Sequence, residues 1–334
     1  MAVTPQTNTT LEAMAERMKE CDEFVLCGHV NPDGDCLGSQ LALMHALRSL
    51  GKKAQCVLVE PNSIDQGLGF LPGVFDMVPA EDFDGPCRAF VACDVPIPSR
   101  MGKAAAIQQR AQVRFTVDHH AADASMSDFN YVDEDAPACG LIVWELIKAL
   151  GVKPDSSMAT CCYTALMTDT GRFQYQNATP EAFRAANEMV EAGAEPAAIS
   201  SEVYQNRSFA SLMLEKAMLE NIVMAEDGLW AFSHVRQDDF ERLGAAKADA
   251  EPLVDVLRSL AGVRVACMVR EQASGVRGSL RAKGDEVDVS VLARHIGGGG
   301  HRAAAGFTFE GPVEELLASL PGYLDALVEK AGLR

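Results

Sequence analysis

Short apolar runs alternate with amphipathic stretches through the first half of the chain. The runs at Glu23–Cys27, Ala54–Val59, Arg88–Cys93 and Val113–Val117 predict strands. Between and after them, apolar residues recur at helical spacing in Leu11–Lys19, Ser39–Leu50, Ala138–Leu150 and Ser157–Thr168. Gly51 and Gly151 stand just past two of these helices, as C-terminal caps do. Buried strands that alternate with helices predict a largely parallel sheet covered on both faces, with ligands at the carboxyl ends of its strands.

The pattern changes from Thr179 onward. Helical spacing in Glu181–Ala192 and Ser208–Leu219 flanks a stretch rich in small residues, Gly193–Ser201. Asp227-Gly228 between Asn221–Glu226 and Leu229–Val235 predicts a hairpin. A second hairpin is expected from Val263–Arg270 and Val276–Arg281 across Ala273-Ser274-Gly275, then a helix at Val287–Ile296 and a strand at Gly306–Phe309. The expected fold class is therefore α/β, with a doubly wound N-terminal domain and a smaller mixed α/β domain. The boundaries are set at 1–193, a linker at 194–215, and 216–334, with an active-site cleft expected between the two domains.

Charge narrows the function. Lys and Arg number 29 against 47 Asp and Glu, a net charge of −18. Affinity for extended nucleic acid rests on basic side chains that neutralise phosphates, so tracking along long strands is disfavoured and small substrates are favoured. Ten cysteines occur without a CxxC pair, mostly in apolar runs, which suits reduced thiols and a cytoplasmic location. Residues 1–10 lack a basic-then-apolar leader pattern, and no apolar stretch approaches the ~20 residues that span a bilayer, so no membrane association is expected.

The chemistry-bearing residues sit at predicted strand and helix ends. His29, Asp33 and Asp35 occupy the corner after the first strand; Asp94 closes the third, and Asp118-His119-His120 the fourth; Asp169 ends a helix. Singly, each has a plainer reading. His29 suits a core histidine, and Asp33 and Asp35 suit turn or N-cap positions. Adjacent histidines at a strand end have no routine structural purpose, and the whole set points to two divalent ions, Mn²⁺ or similar, acting on phosphate. The run Gly297–Gly300, followed by His301, reads either as a flexible loop or as backbone that closely approaches a ligand. Arg100 stands shortly after Asp94 and could grip a terminal phosphate bidentately.

These motifs, in this order, resemble the DHH phosphoesterase superfamily over nearly the full length. The matching residues are His-Val-Asn-Pro-Asp-Gly-Asp-Cys-Leu-Gly-Ser at 29–39, Cys-Asp at 93–94, Asp-His-His at 118–120 and Thr-Asp-Thr-Gly-Arg-Phe at 168–173. Gly-Gly-Gly-Gly-His at 297–301 with Ala-Ala-Ala-Gly at 303–306 is similar to the DHH-associated domain. The nearest branch is the oligoribonuclease (nanoRNase) and pAp phosphatase group. The resemblance implies that His29 and Asp33 hold one metal, that Asp35, His119 and Asp169 hold the other, and that Asp94 bridges both. It implies that His120 faces the scissile phosphate, that Asp118 orients its neighbours, and that Arg281, Gly298, Gly299, Gly300 and His301 contact substrate, with Arg277 a weaker candidate.

The activity so implied is Mn²⁺-dependent hydrolysis of short oligoribonucleotides to 5′-mononucleotides, and of pAp to AMP. The alternatives are a phosphodiesterase acting on cyclic dinucleotides or linear pApA, and, from another class, a catalytically silent nucleotide sensor. A homodimer is also compatible with the resemblance.

Overall fold

The computed structural model describes residues 4–122, 124–272, 275–300 and 302–334. The chain divides into two compact units, residues 1–206 and 207–334. Two expectations fall outside the described residues: the hairpin tip at Ala273-Ser274, and His301.

In the first unit, the strands are β1 (Phe24–Cys27), β2 (Ala54–Leu58), β3 (Val78–Pro79), β4 (Ala89–Cys93), β5 (Val113–Asp118) and β6 (Phe129–Val132). The helices are α1 (Leu11–Lys19), α2 (Gly34–Ser49), α3 (Ala104–Arg110), α4 (Cys139–Ala149), α5 (Ser156–Asp169), α6 (Pro180–Glu191) and α7 (Pro196–Tyr204). All the strand pairs are parallel and run in the order β3-β2-β1-β4-β5-β6. This is the doubly wound arrangement expected, and the strand order reverses direction between β1 and β4. The crevice at such a switch point, beyond the carboxyl ends of the strands, is where these sheets bind ligands. Strand β1 is buried at every position, as a strand covered on both faces should be. One face packs on α2, α4 and α5, with Leu26, Val91 and Phe115 in that core; the other carries Val25, Phe90 and Ala92 against α3.

Helix α2 begins at Gly34, five residues earlier than the pattern indicated, because Asp33 caps it by accepting from the Asp35 and Cys36 amides. The glycines of this corner serve packing. A methyl group at Gly34 would stand 2.4 Å from Thr168 Oγ1, and one at Gly38 2.4 Å from Cys161 O. Both contacts lie on α5, so the two helices pack closely, at Gly38 against the α5 backbone itself. The expected linker at 194–215 carries α7 and the start of the next helix, since Pro196 enters at the first helical turn, where its ring is tolerated.

The second unit has helices α8 (Phe209–Glu220), α9 (Gln237–Leu243), α10 (Leu253–Arg258), α11 (Val289–Ile296) and α12 (Val313–Lys330). Its strands are β7 (Val223–Met224), β8 (Trp230–Val235), β9 (Val265–Gln272), β10 (Gly275–Ala282), β11 (Gly298–Gly300) and β12 (Ala304–Phe309), in the order β11-β12-β10-β9-β8-β7. Among the described residues, only the β8–β9 pair is parallel. One face buries Val269, Leu280 and Phe307 with α11 and α12; the other buries Ala266 and Met268 with α8 and α10.

The glycine run, expected as a flexible loop or as backbone that closely approaches a ligand, is a strand over Gly298–Gly300 and not a loop. Gly298–Gly300 pair with β12 as an edge strand. A methyl group at Gly298 would lie 2.0 Å from Gly306 O, and one at Gly300 2.6 Å from Ala305 Cα. Glycine is needed at these two positions because the neighbouring strand is too close for a side chain.

Candidate metal centre

The carboxyl ends of β1, β4 and β5, at the switch point, deliver His29, Asp94 and Asp118-His119-His120; α2 adds Asp33 and Asp35, and the last residue of α5 is Asp169. The six expected ligand residues converge. His29 Nε2 lies 3.3 Å from Asp94 Oδ2 and 3.8 Å from Asp33 Oδ2. His119 Nε2 lies 3.5 Å from Asp94 Oδ1, 3.6 Å from Asp35 Oδ2 and 3.8 Å from Asp169 Oδ2. One oxygen of Asp94 thus faces each histidine, dividing the set into two groups that share this carboxylate.

Each imidazole is fixed by its other nitrogen. His29 Nδ1 lies 2.8 Å from Val30 O, and His119 Nδ1 lies 3.1 Å from Ala136 O. A carbonyl can only accept, so both Nδ1 atoms carry a hydrogen and both Nε2 atoms turn toward the carboxylates, free to ligate an ion once they give up any proton. That is the tautomer of a metal-ligating histidine with an outer carbonyl.

Asp35 is held more tightly still. Its Oδ2 accepts from the Cys139 amide at 2.7 Å, and its Oδ1 from the Gly140 amide at 2.8 Å and Ser39 Oγ at 3.1 Å. Ala138 precedes α4 and has no side chain with which to cap it. Asp35 supplies that cap from another helix, and the positive end of α4 in turn steadies its charge.

Asp94 adopts φ 58°, a left-handed conformation uncommon outside glycine, and its amide donates to Val117 O at 3.0 Å. The turn aims the side chain into the crevice instead of along the strand. Asp94 is 1% exposed, and its Oδ1 has no hydrogen-bond donor. His120 Nδ1 comes within 3.1 Å of it but is closer to Asp118 Oδ1, at 2.8 Å. That Asp118 oxygen also accepts the amides of His119 and His120, so it fixes the His120 ring and the backbone of both histidines.

Electrostatics follow from burying this many charges together. Burial, then the neighbouring Asp94 charge, pushes the Asp35 carboxyl well above its ordinary range. Burial likewise raises Asp169, to about 6. Burial also opposes charge on Asp94, yet the adjacent His120 and His29 imidazoles hold it far below the usual range. For His120, burial opposes protonation, but Asp118 and Asp94 prevail and push it up to about 11. His29 and His119 are raised against the same opposition, by the carboxylates around them. The cluster retains protons to offset its own negative charge.

Divalent ions fit this donor set. Asp33, Asp35, Asp94 and Asp169 together carry the charge that two dications neutralise, and the two histidines are neutral ligands. Neighbouring donors stand 3.3–3.8 Å apart, too far for strong hydrogen bonds but near the roughly 3 Å between adjacent ligands on an ion with bonds of about 2.1 Å. The unpartnered Asp94 Oδ1 is the acceptor that an ion would satisfy.

Arg100 lies in the turn Pro98–Met101; its carbonyl accepts the Val30 amide at 2.8 Å, and its charge opposes protonation of His29. It therefore stands beside the first group of ligands. Arg281, on β10 opposite Ala304, donates to the carbonyl of Leu280, and Gly298, Gly299 and Gly300 lie two strands away in the same sheet.

Sequence reasoning overlooked Cys36, whose sulfur lies with the donor atoms of His29 and Asp94 in a group spanning less than 4.8 Å. The Cys36 sulfur accepts the His29 amide at 3.2 Å, and burial drives the thiol pKa well up. A neutral thiol engaged this way supports the corner and is a poor ligand. The Cys139 and Gly140 amides were also overlooked; an uncapped Ala138 before a strong helix was the available signal.

The comparisons with known proteins agree with the geometry. Residues 23–166 match the DHH family, N-terminal domain, and residues 235–330 match the DHHA1 domain. The chain is 31% identical over 302 residues to the bifunctional oligoribonuclease and PAP phosphatase NrnA of Thermus thermophilus, covering 90% of this chain and 89% of that protein. The chain belongs to the DHH family. Like the DHH phosphoesterases, it is a hydrolase acting on phosphoester bonds. An exopolyphosphatase-related protein from Bacteroides fragilis superposes with a TM-score of 0.89 at 25% identity, covering 96% of this chain and 97% of the other. The DHH fold extends to an exonuclease RecJ solved with manganese, at a TM-score of 0.54 and 15% identity, with 99% of this chain and 96% of that one covered.

Among the described residues, no helix is long and apolar enough to cross a membrane.

Proposed function

We propose that this DHH protein hydrolyses short oligoribonucleotides to 5′-mononucleotides, and pAp to AMP, with two Mn²⁺ ions held by His29, Asp33, Asp35, Asp94, His119 and Asp169. The observation that carries this reading is the shared Asp94 carboxylate, one oxygen toward His29 and the other toward His119. Similarity to the Thermus protein, which has both activities in its name, supports the choice of substrates. That pairing lends no support to the cyclic-dinucleotide alternative. Mixed carboxylate and imidazole donors, with no thiolate set, suit Mn²⁺ better than structural zinc.

When bound, such a pair of ions supplies Lewis acidity toward phosphate and acidifies the attacking water. The residues of the chain do the rest. Asp94 and Asp35 are fixed before substrate arrives, one by its left-handed turn and the other by the α4 amides. His120 is anchored through Nδ1, so it acts through Nε2; as an imidazolium it stabilises developing charge on phosphate and can give a proton to the leaving oxygen. Arg100 adds a cation beside His29 for a non-scissile phosphate. Arg281 and the edge strand Gly298–Gly300 are the proposed contacts for the rest of the nucleotide, with His301 following them in sequence.

The test is steady-state hydrolysis by purified protein of pAp, pApA and a linear trinucleotide, with Mn²⁺, Mg²⁺ or chelator. The reading requires mononucleotide products that depend on a divalent ion. Failure on all three substrates with every metal would overturn it.

A further inference from the structure

Two of the three residues grouped around the second donor set are held from one short stretch of chain, residues 136–140. Ala136 O takes the His119 Nδ1 hydrogen at 3.1 Å, and the Cys139 and Gly140 amides hold the two Asp35 oxygens at 2.7 and 2.8 Å. Asp169 is the exception. Among the described residues its carboxylate accepts no hydrogen bond, and the nearest imidazole nitrogen, His119 Nε2, is 3.8 Å away. A ligand whose side chain has no such partner depends on where its backbone stands. Asp169 is the last residue of α5, where carbonyls lose their helical donors.

Asn177 supplies the missing donor. Its Nδ2 donates to Asp169 O at 3.1 Å and to Pro137 O at 3.0 Å. Two carbonyls call for a donor, so the amide nitrogen and not the oxygen faces them. Among the described residues no backbone amide donates to either carbonyl. Asn177 thus joins the end of α5 to the stretch that also holds His119 and Asp35. The path that returns it there is strained. Gly171, Arg172 and Phe173 have φ of 54°, 64° and 60°, and a methyl group at Gly171 would stand 2.2 Å from the Tyr175 ring. Left-handed φ at a residue as bulky as Phe173 persists only where the surroundings over-determine it. Here Thr170 holds the reversal: its carbonyl accepts the Gln174 and Tyr175 amides, and its hydroxyl oxygen accepts the Phe173 amide. The other donor group is held elsewhere, His29 by Val30 O and Asp33 by the Asp35 and Cys36 amides.

We infer that Asn177 is a positioning residue that sets Asp169 in register with His119 and Asp35, so that the affinity of one of the two ions passes through its side-chain amide. This rests on the two-ion reading above and adds to it a residue outside the ligand set. Outer partners that orient metal ligands typically contribute about ten- to a hundredfold in metal affinity. An asparagine that only closed the loop after α5 would act differently. Its loss would loosen both donor groups together, because α2, capped by Asp33, packs on α5.

The test is a calorimetric titration of the metal-free full chain with Mn²⁺, with the melting temperature in chelator recorded for each variant. Wild type should take up two ions. Asn177→Ala should take up one as tightly as wild type and the other about ten- to a hundredfold more weakly. Asp33→Asn, in the other donor group, should weaken the ion that Asn177→Ala spares, so the double variant should weaken both. Should Asn177→Ala melt too low to titrate, Asn177→Ser reads the same ion, because its hydroxyl is too short to reach both carbonyls. Equal weakening of both ions in the Asn177 variant, no weakening of either, or a double variant that still binds one ion as tightly as wild type would overturn the positioning role. A wild type that takes up a single ion would overturn it together with the two-ion centre, and hydrolysis of pAp by that protein would show that the proposed activity survives both.

Discussion

Each unit of this protein is a six-stranded sheet sandwiched by helices, yet the two use their sheets in opposite ways. The first gathers chemistry at strand ends: β1, β4 and β5 stop side by side, and each hands a His or Asp to the same crevice. The second offers a strand edge, where β11 is all glycine and the sheet closes on itself too tightly for side chains at Gly298 and Gly300. In the first unit, buried charge is concentrated until burial and neighbouring groups pull pKa values apart. In the second, the corresponding feature is exposed backbone. Fixed donors on rigid ends suit bond breaking, and bare amides on an edge suit holding.

The largest expected effect is at the residue shared by both donor groups. Asp94→Asn should lower kcat by about a thousandfold or more, because the proposed centre shares this carboxylate between both ions. Asn is the right replacement because it tolerates φ 58°, which Ala would occupy with strain. A melting temperature within a few degrees of wild type would show that the loss is chemical. Substantial turnover in a folded Asp94→Asn protein would break the comparison at its stronger side.

Within the glycine edge, two neighbouring substitutions separate structure from binding. Gly298→Ala brings a methyl within 2.0 Å of Gly306 O, so it should destabilise the second unit by roughly 1–3 kcal/mol. Gly299→Ala meets no atom within 4 Å and should leave stability unchanged. If amides on this edge approach the substrate, Gly299→Ala should still raise KM by about tenfold while kcat changes little. Equal KM for wild type and Gly299→Ala would reduce the edge to a piece of sheet packing.

Much of this was legible in the sequence. The apolar runs gave β1, β2, β4 and β5 because strands buried on both faces have no alternation to obscure them. The cluster of His and Asp residues was legible because Asp and His at strand ends have few other reasons to recur. What escaped was set by contacts between distant segments. The packing role of Gly34 and Gly38 could not be read locally, since their neighbours, Thr168 and Cys161, lie more than a hundred positions away. β3 has only two residues, and Asn130 breaks the apolar run of β6. The edge strand of glycines ran against every local propensity, because its reason is the closeness of β12.

The smallest expected effect is also the one that sees the two units separately. The chain has two tryptophans, Trp144 in α4 and Trp230 in β8, both buried, bonded to Glu188 and Asp325 respectively. Trp230→Phe and Trp144→Phe leave one reporter in each unit. In chelator, His120 is raised to about 11 from an ordinary 6.5, so its contribution is complete below pH 6.5 and is lost as pH rises toward 11. His29 and His119 are also raised and act in the same direction, and the raised Asp35 and Asp169 carboxyls likewise lose stability as pH rises from the ordinary carboxylate range, Asp169 through about 6. Asp94 has the opposite sign, but its low pKa confines that effect to acid below 3.8. The Trp144-reported melting point in chelator should therefore fall by several degrees between pH 6 and pH 10. Added divalent ion should stabilise it more at the higher pH, where fewer protons compete for the ligands. The Trp230-reported transition should follow neither trend, because no buried carboxylate–histidine cluster occurs among the described residues of its unit. Parallel shifts at both tryptophans would mean that the metal centre governs the stability of the second unit as well as the first.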